Sequence, residues 1–228
     1  MFKAVIFDMD GLIFDTERLN VDAWQTVGQN NGLAITEKMA LEAVGLSPAL
    51  TKAVFETYLG ELPQFYELRE QRIHFVRQSI AEHGMPVKKG LTELLDFLLK
   101  NGYKLALATS TPRALATSYL ELAGILDCFD PIVCGDMIEH SKPAPDIYLK
   151  ACELLHEAPE NCLTLEDSPV GVKAAWLAGT RPVMIPDLIE PDEAVGRMLY
   201  ACVDSLMDVI QLLYQAAPEE DQRSIDPQ

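Results

Sequence analysis

Five short apolar runs, each bounded by polar or turn residues, recur along the chain: Ala4–Phe7, Leu105–Ala108, Ile132–Cys134, Cys162–Leu165 and Pro182–Ile185. Each run has the length of a strand buried on both faces, as in a parallel sheet, although the pattern alone also fits a buried helix. From Leu91 onward helical patterns alternate with these runs. The predicted helices are a leucine stripe from Leu91 that ends at Asn101-Gly102, and Arg113–Ala123, Pro145–His156, Val170–Ala178 and Ser205–Gln215. This alternation predicts an α/β fold with a Rossmann-like, doubly wound parallel sheet.

The segment 16–85 has a different pattern. It lacks a convincing strand and predicts amphipathic helices broken at Asn31-Gly32, 45–48 and 60–63. It follows the first strand, where one crossover helix is expected, and is too long for that helix. We therefore predict an inserted all-α cap domain, with hinges near Asp15-Thr16 and 85–87. The α/β core then comprises 1–15 and 86–216, and the polar tail 217–228 is predicted to be disordered.

Composition narrows the functional classes. The 228 residues are 49% hydrophobic, and a net charge of −17 argues against a nucleic-acid partner. A small anionic substrate stays possible, since a metal and a few cations reverse the field inside one pocket. The odd number of cysteines without C-x-x-C spacing favours a reducing compartment. Without a signal peptide or membrane span, we expect a cytoplasmic protein, monomeric or weakly dimeric, with no membrane partner.

Two carboxylates, Asp8 and Asp10, stand just past the first predicted strand and are followed by Gly11. In open α/β sheets, ligands bind at the carboxyl ends of the strands. Carboxylates one residue apart can bind a hard cation while leaving one oxygen free to attack phosphorus. Because Asp-Gly is also a common turn pair, the motif by itself is equally consistent with a turn.

Polar residues also follow the next predicted strands. Thr109 and Ser110 end the second run, where they can donate to a phosphoryl oxygen, although both residue types also cap helices. Lys142 precedes a helix that begins with proline. A lysine there can neutralise a transferring phosphoryl group and hold Asp8, although lysine is usually a solvated surface residue.

Two acids, Glu166 and Asp167, end the fourth run, where apolar residues would suit the strand better. They can complete an oxygen-rich Mg²⁺ shell with Asp8 and the main-chain carbonyl of Asp10. Asp167 is also suited to cap the helix that begins near Pro169. Four polar clusters at four strand ends are hard to explain as independent caps, and together they favour a catalytic site.

Four motifs carry a family resemblance: Asp8-Met-Asp10-Gly11, Thr109-Ser110, Ser141-Lys142-Pro143 and Glu166-Asp167-Ser168-Pro169-Val170-Gly171. In this order they resemble the haloacid dehalogenase-like hydrolase superfamily, and more narrowly its β-phosphoglucomutase and sugar-phosphate phosphatase branch with a helical cap. The resemblance covers the chain to about Gln215. Its motifs are very specific for the superfamily and much less specific for the substrate.

The resemblance implies a role for each motif residue. Asp8 attacks the phosphoryl group and becomes an aspartyl-phosphate. Asp10 protonates the leaving oxygen and then deprotonates the water or sugar hydroxyl that accepts the phosphoryl group. Thr109 and Lys142 hold the group that is transferred.

The resemblance also implies a metal site. Mg²⁺ is expected on Asp8, the Asp10 carbonyl and Asp167, with Glu166 outside the shell or bound through water. The cap would close over this site, exclude water and select the substrate. Its specificity stretch is 43–48, in which Gly45 and Leu46 are predicted to bind the substrate.

This chain departs from the phosphoglucomutase pattern, which has a lysine before the corresponding glycine and an arginine shortly after it. Val44 and Pro48 stand near those places, and Pro112-Arg113 replaces a Lys-Asn pair after the second motif. Arg113 is predicted to bind a distal phosphate or carboxylate, or equally to be an exposed first-turn residue. The sequence thus favours a Mg²⁺-dependent phosphatase of a small phosphorylated metabolite, most simply a sugar phosphate. A phosphomutase and a non-catalytic binding module are the alternatives.

Overall fold

A computed structural model describes residues 2–44 and 46–216. Within these residues there are six strands: β1 (Ala4–Phe7), β2 (Lys104–Thr109), β3 (Ile132–Cys134), β4 (Cys162–Glu166), β5 (Arg181–Met184) and β6 (Ala201–Cys202). The α-helices are α1 (Thr16–Asn30), α2 (Glu37–Glu42), α3 (Pro48–Leu59), α4 (Phe65–His83), α5 (Leu91–Lys100), α6 (Arg113–Ala123), α7 (Asp146–Leu155), α8 (Pro169–Ala178), α9 (Glu193–Gly196) and α10 (Leu206–Ala216). None of these helices combines the length and apolar character needed to span a membrane. The predicted tail 217–228 lies outside the described residues.

The strands form one parallel sheet in the order β3-β2-β1-β4-β5-β6. Central β1 pairs with β2 and β4, so Val5 lies opposite both Leu105 and Leu163. The chain builds the sheet outward from β1 in one direction and then from β4 in the other. This confirms the predicted doubly wound sheet, and its topological switch point falls between β1 and β4, where a ligand crevice is expected.

Both faces of the sheet are covered, which explains why the strands read as continuous apolar runs. Val5 and Phe7 point into a cluster that includes the apolar stripe of α5 and residues of α6 and α10. Ala4 and Ile6 point the other way, into a cluster with α7 and α8. The alternation of successive β1 side chains therefore divides the core into two layers on either side of the sheet.

Helices α1 to α4 fill the segment between β1 and α5, and they have an apolar cluster of their own around Trp24, Phe55 and Phe65. The two chain crossings into this segment lie side by side. The Asp15 N–H donates to the Pro86 carbonyl at 2.8 Å, and the Lys88 N–H donates to the Ile13 carbonyl at 2.9 Å. This pairing supports the predicted hinges; the assignment of 16–85 as a separate cap domain remains our proposal.

Two short elements, β6 and α9, were not predicted. A two-residue strand and a one-turn helix are too short to show a period, so only pairing and packing define them. Elsewhere the differences are small: β4 continues to Glu166, and β5 begins at Arg181 instead of Pro182. The extension of β4 places an acidic residue at the end of a buried strand.

Candidate active site

The polar side chains predicted from the sequence meet at the carboxyl edge of the sheet. Asp8 follows β1, Thr109 ends β2, and Glu166 and Asp167 end and follow β4. The Asp8 N–H donates to the Leu165 carbonyl at 3.0 Å, which joins the ends of β1 and β4. The site therefore occupies the switch point of the sheet.

Lys142 joins two of these acids. Its Nζ lies 2.5 Å from Asp8 Oδ1 and 2.7 Å from Glu166 Oε1, and it also donates to the Ala108 carbonyl at 3.3 Å. Only 4% of the residue is exposed. The alternative of a solvated surface lysine is therefore wrong, since the ammonium group bridges two buried carboxylates below the cavity.

Glu166 receives hydrogen bonds on both carboxylate oxygens. Lys142 and the Tyr148 hydroxyl donate to Oε1, and the Ser168 hydroxyl donates to Oε2 at 3.1 Å. A Cβ on Gly171 would lie 1.9 Å from Glu166 Oε1, so helix α8 packs directly against this side chain. Glu166 is thereby fixed as the group that positions Lys142 beside Asp8.

Three acids form a compact, buried cluster. Asp8, Glu166 and Asp167 each offer a carboxylate oxygen, and these oxygens lie within 4.8 Å of one another. Asp167 fits because Gly11 has no side chain: a Cβ there would lie 2.0 Å from Asp167 Oδ2, and Gly11 has a φ of +88°. Ser168, not Asp167, caps α8, because its hydroxyl accepts from the Gly171 N–H at 3.1 Å. The helix-cap alternative for Asp167 is therefore wrong.

Burial and mutual repulsion dominate the electrostatics of this cluster. Burial raises the pKa of Asp8 to about 7, against the opposing charge of Lys142. Burial, then the charges of Asp8 and Glu166, hold the pKa of Asp167 well above its usual range. Burial alone would lower the pKa of Lys142, but the Asp8 and Glu166 charges outweigh it and keep the ammonium protonated. Three carboxyl groups around one lysine leave a deficit of positive charge that a hard cation would fill.

Asp10 is held differently from Asp8. The Thr16 hydroxyl donates to its Oδ1 at 2.8 Å, and the Thr111 hydroxyl donates to its Oδ2 at 2.7 Å. Its carboxylate is not a member of the acidic cluster. The predicted metal contact of Asp10 thus rests on its main-chain carbonyl, and its side chain remains available for proton transfer.

Thr109 and Ser110 both line the cavity above the acids. The buried Thr109 hydroxyl accepts from the Thr111 N–H at 3.0 Å. Helix α6 begins only at Arg113, so the Thr109 hydroxyl closes the local turn instead of capping the helix. The hydroxyl can still donate its own proton to a phosphoryl oxygen.

The cavity has a volume of about 690 Å³ and is lined by the strand ends and by helices α1 to α4. Leu46 lies in its lining, as predicted, whereas Gly45 lies outside the described residues. Arg113 is not among the lining residues. Its side chain donates to the Met137 sulfur at 3.5 Å, and its backbone N–H donates to Asp136. Of its two predicted positions, this agrees with the exposed first-turn arginine.

Several lining residues were not found from the sequence, among them Glu17, Asn20, Arg69 and Arg72. Glu17 is 9% exposed, and burial followed by the charge of Asp10 raises its pKa to about 8. The two arginines could have been identified from the sequence, because they interrupt the apolar stripe of α4 at helical spacing. Thr16, Thr111 and Tyr148 gave no comparable signal, because hydroxyl residues near helix ends are common.

A buried acidic cluster at the switch point of a parallel sheet, with a lysine beneath it, is the site of a phosphoryl-transfer enzyme with an α/β fold. The sequence model of the haloacid dehalogenase-like hydrolase family matches residues 5–185 of this chain. The chain therefore belongs to the haloacid dehalogenase-like hydrolase family.

Three relatives illustrate the similarity. A phosphorylated carbohydrates phosphatase of Thermotoga maritima is 35% identical over 182 residues, covering 78% of this chain and 82% of the relative. A fructose-1-phosphate phosphatase of Escherichia coli is 30% identical, covering 78% of this chain and 93% of the relative. The crystal structure of a putative β-phosphoglucomutase from Thermotoga maritima superposes with a TM-score of 0.75 at 29% identity, covering 95% of this chain and all of that chain.

Proposed function

We propose that this protein is a Mg²⁺-dependent phosphatase of small phosphorylated metabolites, with a sugar phosphate as substrate. The observation that carries the proposal is the pair Asp8 and Lys142. A buried carboxylate that lines the cavity and is bonded by a lysine at one oxygen is suited to nucleophilic attack on phosphorus. The names of the two sugar-phosphate phosphatases among the relatives support the same substrate class.

The reaction proceeds in two balanced steps. An Asp8 carboxylate oxygen forms a bond to phosphorus as the bond to the sugar oxygen breaks, and Asp10 gives its proton to that oxygen. Asp10 then takes a proton from water as the water oxygen attacks the aspartyl-phosphate, which releases inorganic phosphate and restores Asp8. Such general acid–base help is worth about 10²–10⁴-fold in rate.

The donor set of the acidic cluster fits Mg²⁺, because hard cations prefer carboxylate and carbonyl oxygens. Asp8, Asp167 and the Asp10 carbonyl would hold the ion, with Glu166 outside the shell. When bound, it supplies charge stabilisation to the transferring oxygens. Lys142 adds a second positive charge at Asp8, and the Thr109 hydroxyl together with the Ser110 N–H can donate to a phosphoryl oxygen.

A phosphomutase is the second candidate, favoured by the structural similarity to a putative β-phosphoglucomutase. A mutase must grip a bisphosphate intermediate by its distal phosphate. Val44 and Pro48 line the cavity without a charge, at positions near those of the two cations of the mutase pattern. The two cations of the mutase pattern are thus missing from positions 44 and 48, and this difference from the mutase favours the phosphatase.

Phosphate release from a panel of sugar phosphates, with Mg²⁺ or with EDTA, tests the proposal. We expect wild-type release only with the metal, and a loss of about 10⁴-fold or more in Asp8→Asn, which keeps the shape but removes the nucleophile. The exposed Asp22→Asn is the matched control and should match wild type. Near-normal turnover by Asp8→Asn would refute the aspartyl-phosphate mechanism. Isomerisation without phosphate release would decide for the mutase.

A further inference from the structure

Helix α4 presents a mixed face to the cavity. Residues 65, 69, 72, 73 and 76 recur at the spacing that places side chains on one side of a helix, and all of them line the cavity. Phe65, Ile73 and Val76 are apolar, as expected for an inward face. Arg69 and Arg72 interrupt this face with two positive charges.

Arg72 is held in place yet not neutralised. One of its terminal nitrogens donates to Asn20 Oδ1, and its guanidinium carbon lies 5.5 Å from the centre of the Trp24 ring. Its Nε is buried and has no hydrogen-bond partner among residues 2–44 and 46–216. In the same residues no carboxylate oxygen lies within 4.0 Å of its guanidinium nitrogens. The guanidinium lines the cavity with a neutral side-chain partner, so it favours an incoming anion.

Arg69 adds a second charge beside it. Its ion pair is with the neighbouring Glu70 at 3.2 Å, and 71% of that glutamate side chain is exposed, which makes the pair weak. Burial and then the charge of Arg69 lower the pKa of Arg72, and the acids Glu17 and Asp10 oppose this only in part. The wall formed by α4 therefore carries a local excess of positive charge.

Resting on the proposed function, we propose that Arg69 and Arg72, oriented by Asn20, form a subsite for a second oxyanion at the end of the substrate away from the transferred phosphate. The substrate class is then a sugar phosphate that carries a second phosphate or a carboxylate. An arginine fork matches both groups, and such a group would partner the Arg72 guanidinium at the cavity and offset the repulsion between the arginines.

Matched substrate pairs test this subsite. Fructose 1,6-bisphosphate is compared with fructose 1-phosphate and fructose 6-phosphate, and 6-phosphogluconate is compared with glucose 6-phosphate. We expect wild-type kcat/KM to be at least about tenfold higher for one or both doubly anionic compounds than for their partners. Arg69→Gln and Arg72→Gln should each lower that value by about 10- to 100-fold, the worth of one charge-assisted hydrogen bond. Values for the singly phosphorylated partners should change less than about threefold.

Further variants separate charge from structure. Arg72→Lys keeps the charge but not the fork and should retain part of the preference, whereas the exposed Arg197→Gln should retain all of it. Thermal unfolding of each variant identifies any loss of fold. If Arg72→Gln does not fold, the more exposed Arg69→Gln gives the same comparison. Equal wild-type kcat/KM within both sets, or an equal loss for both members of a pair, would overturn the subsite.

The subsite and the proposed function can fail separately. If no compound releases phosphate, the proposed function fails, and calorimetric binding of the same compounds to Asp8→Asn decides the subsite. Tighter binding of a doubly anionic compound that is lost in Asp8→Asn/Arg72→Gln would support it. Equal affinity within both sets would refute it.

Discussion

Two parts of the cavity hold their charged groups in opposite ways. We call the first part the floor, which comprises Asp8, Lys142 and Glu166 at the strand ends. The second part is the wall, which comprises Arg69 and Arg72 of α4. On the floor, at the strand ends, Lys142 bonds Asp8 and Glu166 at 2.5 and 2.7 Å, and both oxygens of Glu166 receive donors. On the wall, in the part of α4 that faces the cavity, Arg72 has Asn20 as its hydrogen-bond partner and keeps a buried Nε unpaired within the described residues. The floor is a closed network, whereas the wall is left open to a ligand.

This difference follows from how each region is supported. The floor is built on β1, β2 and β4, which are paired with neighbours on both sides and buried on both faces. The wall rests largely on its own apolar cluster. It joins the rest through two chain crossings and through Ala23, Val76 and Ile80, which pack in the core cluster of the sheet. Reaction chemistry requires groups fixed in place, and substrate choice tolerates a separately supported surface.

The largest effect is expected from Lys142→Met on the floor. The change leaves two buried carboxylates without their cation, and breaking such a pair costs about 3–5 kcal/mol. The pKa of Asp8 should then rise further, because the Lys142 charge now lowers it, so the protonated carboxyl no longer attacks. We expect kcat/KM for phosphate release to fall by about 10³-fold. Lys150→Met, on the surface of α7, is the control and should leave kcat/KM unchanged. A loss below tenfold in Lys142→Met would show that the floor network is not required.

The boundary between floor and wall is tested by Glu17→Gln. The folded pKa of Glu17 is about 8 against an ordinary 4.5, so the folded state keeps a proton that the unfolded state loses between these values. The stability that this proton contributes to the wild type is therefore lost as the pH rises from 4.5 through 8, whereas Glu17→Gln has no such loss. Between pH 5 and pH 8, the variant should gain about 2–4 kcal/mol in unfolding free energy relative to wild type.

Urea unfolding in metal-free buffer at several pH values measures this gain, with the exposed Glu67→Gln as the control. A difference between Glu17→Gln and wild type that does not change with pH would contradict the neutral form of Glu17.

A third prediction concerns close packing on the floor. In Gly171→Ala the new Cβ would lie 1.9 Å from Glu166 Oε1, and the donors on both Glu166 oxygens oppose any shift. We expect a loss of about 1–3 kcal/mol in the free energy of unfolding. Gly196→Ala, also in a helix, has no atom within 4 Å of its new Cβ and should be neutral or slightly stabilising. Denaturant unfolding that gave both variants the same stability change would show that Glu166 is not held in place.

The smallest effect is expected at Asp10, whose carboxylate accepts one hydroxyl hydrogen bond from the floor and one from α1. Thr111→Val removes the donor from the floor, and Thr16→Val removes the donor from α1. Each change should lower kcat about tenfold, because a hydrogen bond to a charged group is worth about 1.5–3 kcal/mol and part of it is replaced by water. Thr117→Val on α6 is the control. If only Thr111→Val lowers kcat, the wall does not help to position the acid.

Much of the fold and part of the site were predictable because they depend on local pattern and on topology. Apolar runs located β1 to β5, and the rule that parallel strands end at one edge brought Asp8, Thr109 and Asp167 together. The donors that hold them were less accessible. Tyr148 reaches Glu166 and Thr111 reaches Asp10 only because separate helices and turns pack there, and nothing in their neighbouring residues indicates it.

The sequence by itself determined the chemistry of this protein, since the carboxylates that follow β1 and β4 meet wherever these strands lie side by side in one parallel sheet. Tertiary structure alone decided how those groups are used. It buried Lys142 between Asp8 and Glu166, turned Arg113 away from the cavity, and placed Arg69 and Arg72 of α4 in its wall. The physical reason is range: periodicity reports the face of one element, whereas burial, pairing and charge balance depend on elements far apart in the chain.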